Sequence, residues 1–76
     1  MLPLPMLGGE TVRVFESLGW QVARQQGSHI ILVKSGQIAT LSVPNHRQVA
    51  KGTLRSLIRS AGLSVAEFLA AMQIRR

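Results

Sequence analysis

Glycine cuts this chain into short runs of two kinds of apolar periodicity, and that spacing restricts it to a small mixed fold. Before Gly19, Thr11, Val14, Phe15 and Leu18 recur at i, i+3, i+4 and i+7, which is one face of a helix over residues 9–18. Gly9 is its candidate N-cap and Gly19 its C′ stop. Trp20, Val22 and Arg24 then alternate with Gln21 and Ala23, as in a strand. Gln25-Gln26-Gly27 reads as a turn, the β-branched run 29–34 as a second strand, and Ser35-Gly36 as another turn. Residues 37–43 read as a third strand, ending at Pro44, which has no N–H for a ladder. Turns this short permit only antiparallel pairing, a three-stranded meander.

Residues 45–51 form a polar loop. Leu54, Leu57, Ile58 and Ala61 then repeat the helical spacing over 53–61, and Gly62 ends that helix. Ser64, with Glu67 three residues on, makes a capping box for a third helix with Val65, Phe68, Leu69 and Met72 on its apolar face. The tail from Gln73 reads as frayed. The order α-β-β-β-α-α predicts an α+β fold, a two-layer sandwich in which a three-stranded antiparallel sheet carries helices on one face. A single domain over residues 1–76 is expected, with a marginal core, because a chain this short buries only about 60% of its unfolded surface.

The second strand is apolar on both sides. His29, Ile31 and Val33 share one face, and Ile30, Leu32 and Lys34 the other. A sheet with one wet face alternates more cleanly than this. Three explanations stay open: a partner covers the outer face, the third helix wraps further round, or Ile31 and Val33 are tolerated surface residues.

Charge narrows the chemistry. Nine Lys and Arg against three acids give a formal +6. The only carboxylate side chains are Glu10, Glu16 and Glu67, and Asp, Cys and Tyr are absent. That inventory argues against carboxylate-held metal pairs, glycosidase-type carboxylate pairs, disulfides, thiolate zinc and cysteine nucleophiles. No metal or cofactor is expected. The apolar N-terminus is interrupted by Pro3 and Pro5 and lacks a basic n-region, and no run approaches the roughly 18 residues of a membrane span. A cytoplasmic location is the expectation, with no membrane partner.

A basic surface suits an anionic partner: nucleic acid, an acidic protein or a membrane surface. Lys51, Arg55 and Arg59 are spaced by four and line one side of the second helix. Like charges at that spacing repel by about 0.2–0.5 kcal/mol per pair. The row makes sense where phosphates or carboxylates arrive from outside, and the helix start near Gly52-Thr53 offers free N–H groups to an anion. A merely solvated basic face is the plainer reading.

His29 follows Gly27-Ser28 at the mouth of a strand, and His46 follows Pro44-Asn45 in the loop. Each alone is most simply a structural or incidental histidine. Pairing of the second and third strands places His29 and the Pro44–His46 segment at one end of the sheet. Imidazole, hydroxyl and cations together suit RNA cleavage without metal: a base takes the 2′-OH proton, the oxygen attacks the adjacent phosphate, and cations hold the added charge. Imidazoles in general titrate near 6.5, which fits general acid–base work worth about 10²–10⁴ in rate.

Gly27-Ser28-His29, the hairpin that follows, Val43-Pro44-Asn45-His46, and Lys51-Gly52-Thr53-Leu54-Arg55-Ser56-Leu57-Ile58-Arg59-Ser60-Ala61-Gly62-Leu63-Ser64 together resemble the HicA, or YcfA-like, family of mRNA interferase toxins. The resemblance runs from about Leu7 to Met72. It implies a double-stranded-RNA-binding-domain-like fold and a ribonuclease centred on His29. It also implies a HicB-like antitoxin that masks the site and makes whatever DNA contact the complex has. Within it, Gly27, Ser28 and His46 are candidate catalytic support. Arg24, Lys34, Arg47, Lys51, Arg55 and Arg59 are candidate holders of the mRNA backbone. The chain departs from the family at Ile30, where relatives often carry a second histidine, and in the first helix, where Gly8-Gly9-Glu10 and Arg13 replace a hydroxyl cap and several lysines. A non-catalytic RNA-binding or protein-interaction module of the same fold is the alternative.

Overall fold

The structure is a computed structural model that describes residues 6–45 and 48–75, the last two by backbone alone. The element order is α1 (Gly8–Ser17), β1 (Gln21–Gln26), β2 (His29–Val33), β3 (Leu41–Pro44), α2 (Lys51–Ser60) and α3 (Val65–Arg75). The strands form one antiparallel sheet in the order β1-β2-β3. The α+β meander with helices therefore stands as the sequence indicates.

The inner face of the sheet makes the core. Leu32 lies opposite Leu41, and Ile30 opposite Val43. Leu32, Leu41 and Val43 are fully buried and belong to the same cluster as Phe15, Trp20, Leu54, Ile58 and Phe68. α1 packs on β1 and β3, and α2 on β3, whereas α3 lies against α1 and α2. The third helix thus does not wrap towards the outer face; it completes the helical layer through Phe68. Phe15 is the hinge of this packing, with its ring centroid 5.2 Å from Phe68 and 6.5 Å, edge to face, from Trp20.

Both glycine stops act through the same geometry. After α1, the Gly19 N–H donates to Glu16 O and the Trp20 N–H to Phe15 O, each at 3.0 Å, with Gly19 at φ 99°. After α2, the Gly62 N–H donates to Arg59 O (2.9 Å) and the Leu63 N–H to Ile58 O (3.1 Å), with Gly62 at φ 76°. These are Schellman motifs, which need a left-handed residue and fold the next apolar side chain back over the helix. That is how Trp20 enters the core before β1 begins.

Several boundaries move. Gly9 is not the N-cap: α1 starts at Gly8, Leu7 caps it through its backbone, and the Leu7 N–H donates to the Glu10 carboxylate (3.2 Å). α2 starts at Lys51 rather than Thr53, and α3 runs on to Arg75 rather than fraying at Gln73. β3 starts at Leu41, not Gln37; the Gln37 N–H closes a turn on Lys34 O (3.0 Å), and residues 37–40 lie exposed outside the sheet. The first strand covers 21–26, and its alternation breaks. Val22 pairs with Leu32 but Arg24 with Ile31, so Ala23 is the extra residue of a β-bulge.

The capping box before α3 is formed as the sequence indicates. The Ser64 N–H donates to Glu67 Oε1 (2.8 Å), and the Glu67 N–H donates to Ser64 Oγ (3.1 Å). The Ser64 backbone N–H, and after it the Ser64 hydroxyl, hold the Glu67 carboxyl below its usual value. A carboxyl lowered on folding stabilises above its unfolded pKa, and that support fades as pH drops through the lowered folded value. Ser64→Ala is expected to cost about 0.5–2 kcal/mol in urea denaturation at pH 7. The variant keeps the N–H that is the larger cause of the lowered carboxyl, so only the smaller share due to the hydroxyl should fade from this difference in strongly acidic buffer.

Candidate active site

The β1–β2 turn builds the site. Gln26 pairs with His29, leaving Gly27 and Ser28 as a two-residue loop. Gly27 has φ 58°, and among the described residues only glycines have a positive φ, so the loop carries its glycine at the first central position, as a type II′ turn requires. A side chain at Gly27 would meet no atom within 4 Å; backbone conformation, not space, is what selects glycine there.

His29 is thereby the first residue of the central strand, exposed, with Gln26 on one side and Pro44 on the other. The Asn45 N–H donates to Ser28 O (2.6 Å), which ties the start of the following loop to the turn. His29 and the Pro44-Asn45 segment do share one end of the sheet. His46 and Arg47 lie outside the described residues.

Directly paired residues share a face, so His29, Ile31, Val33, Gln26, Arg24, Ser42 and Pro44 look outward, away from the helices. The bulge at Ala23 puts Arg24 in that set. Ile31 is buried between its partners Arg24 and Ser42, outside the main core cluster. The apolar outer face is therefore partly covered within the chain itself.

The other described cations lie on different elements. Lys34 follows the far end of β2, about 16 Å along the strand. It is half-buried, and its stem passes so close to Gly19 that a Cβ there would lie 3.1 Å from Lys34 Cε. Lys51, Arg55 and Arg59 are exposed along α2, in the helical layer. Arg24 is the described cation that shares the histidine's face. Gln26 also belongs to this surface, and the sequence reading missed it; the strand register reveals it. Asn45, expected at this end of the sheet, is held there by its backbone bond to Ser28.

Among the described residues no three His, Cys, Asp or Glu come together to hold a metal ion. No helix among them is long and apolar enough to cross a membrane.

Residues 8–63 match the model of the HicA toxin of bacterial toxin–antitoxin systems. The chain belongs to the HicA toxin family. Among solved structures it resembles a chain of a toxin–antitoxin complex from Streptococcus pneumoniae, with 33% identity and a TM-score of 0.69 over 78% of this chain and 100% of that one. No curated protein matches it. The HicA match spans the site from α1 through the Gly27-Ser28-His29 turn to the end of α2. It stops at Leu63, before α3.

Proposed function

We propose that this chain is the toxin of its system and cleaves mRNA as an endoribonuclease without a metal, with His29 as the general acid–base group. The exposed imidazole at the sheet end, beside the Gly27-Ser28 turn in a HicA-family chain of charge +6, carries this reading. His29 accepts the proton of a ribose 2′-OH. The O2′ then attacks the adjacent phosphorus and the P–O5′ bond breaks, the departing O5′ taking a proton from water, which leaves a 2′,3′-cyclic phosphate and a 5′-OH end. Arg24, on the same face, offsets the charge that gathers on the phosphate oxygens. Ser28 and Gly27 position the imidazole through the turn, and His46 and Arg47, which follow Asn45 in sequence, are further candidates for support and for holding RNA. With Glu10, Glu16 and Glu67 on two helices and no Asp or Cys, the chemistry runs on protons and fixed cations.

A HicB-like antitoxin neutralises the toxin by covering this face. The complex to which the similar Streptococcus pneumoniae chain belongs supports such a partner. The open outer sheet face, with Val33 half-buried and His29 exposed, is the surface available to it.

The reading is tested with purified protein and a short RNA in excess EDTA. Cleavage is expected, with a cyclic phosphate on the 5′ fragment. A single 2′-deoxy substitution at the cleaved position is expected to block it. Persistence of cleavage at the deoxy position would rule out the 2′-OH mechanism.

A further inference from the structure

A cleft opens where α2 ends and α3 begins. Arg55, Ile58, Arg59, Leu63 and Val65 line it, and its volume is about 260 Å³. The Schellman bond from the Leu63 N–H to Ile58 O builds its floor by folding Leu63 back over the helix. Ile58 is buried and Leu63 and Val65 are half-buried, while Arg55 and Arg59 stand exposed at the rim. Glu67, close by in sequence, has its carboxylate taken up by the Ser64 N–H. Among the described residues neither guanidinium has an ion-pair partner.

We propose that this cleft is a subsite for one unstacked base of single-stranded RNA, distinct from the cleavage site at His29. The proposal rests on the reading that RNA is the substrate. Three features favour it over an acidic peptide. The volume is below the roughly 300–1,000 Å³ of pockets for drug-sized ligands and suits a single flat group. The walls pair aliphatic surface with two guanidinium planes, and such planes both stack on bases and fork onto phosphate. The cations also continue beyond the cleft: Lys51, Arg55 and Arg59 step along α2 at about 6 Å per four residues. A row follows a phosphate backbone, whereas one acidic side chain needs only one cation. The aliphatic floor offers no side-chain donor or acceptor, so the subsite takes any base and prefers the larger ring.

The test is methyl NMR of the full chain with 2′-O-methyl oligonucleotides, which lack the attacking hydroxyl. The methyls of Ile58, Leu63 and Val65 are expected to shift with a hexaadenosine probe and less with hexauridine. An abasic hexamer should leave them unmoved. The double variant Arg55→Ala/Arg59→Ala, both at exposed positions, should weaken hexaadenosine binding about tenfold or more while its amide spectrum stays that of the folded parent.

Binding that moves only the Ile31 and Val33 methyls would overturn the subsite and leave RNA as substrate. So would absence of binding beside intact cleavage of ordinary RNA. Absence of both binding and cleavage would remove the RNA reading itself. Shifts of the cleft methyls with a peptide of alternating Asp and Leu, but not with RNA, would assign the cleft to a protein partner and overturn the proposal.

Discussion

His29→Ala is expected to abolish RNA cleavage and the growth arrest that accompanies expression, with the fold retained. Loss of a positioned acid–base group lowers the rate by about 10²–10⁴. The side chain is exposed at the first position of β2, so its removal opens no hole in the core. Single-turnover cleavage of one RNA by parent and variant measures the effect, and matching urea midpoints show that the fold is intact. Undiminished cleavage by the variant would take the catalytic role from His29. Complete loss in His46→Ala, with His29→Ala active, would exchange the roles of the two imidazoles.

Phe15→Ala acts on stability with comparable force. The ring is fully buried and touches both Trp20 and Phe68, which come from the chain on either side of the sheet in sequence. Truncating a buried Phe costs about 3–5 kcal/mol. A chain of 76 residues has about 4–11 kcal/mol in total, at roughly 0.05–0.15 kcal/mol per residue. The variant is therefore expected to be largely unfolded at 37 °C, with a urea midpoint far below the parent's. Phe15→Leu, which keeps most of the volume, should lose much less. A full-size transition in Phe15→Ala at the parent's midpoint would mean that the Phe15–Trp20–Phe68 packing does not hold the layers together.

Wherever one local rule dominates, the chain announces its structure. Gly19 and Gly62 mark real Schellman stops, Ser64 and Glu67 a real capping box, and the 54-57-58-61 spacing a real buried face. The errors fall where tertiary context decides. Residues 37–40 have strand-like composition, yet the turn closed by Gln37 on Lys34 O carries them out of the sheet. A bulge leaves no mark in an alternating stretch such as Trp20 to Arg24, because Ala23 suits either pairing. The candidate site was legible in part for the same reason. A glycine turn and two strands place His29 beside Pro44 in any antiparallel register. The outward position of Arg24 depends on the bulge, and the separation of Lys34 from His29 depends on which way the strand runs. The cleft between α2 and α3 needs Leu63 folded back, which becomes visible only once Gly62 is known to be left-handed.

The irregularity at Ala23 also bears on how copies of this toxin behave when crowded. β1 lies at an edge, and all six of its side chains are exposed. An edge that is straight and open is a template on which further molecules can add, one after another, into fibres. Here the extra residue throws the repeat out of step midway, and Arg24 sets a positive charge beside the break. A second molecule approaching that border finds neither a continuous row of amides nor a neutral one, so freshly made toxin is kept from polymerising along it.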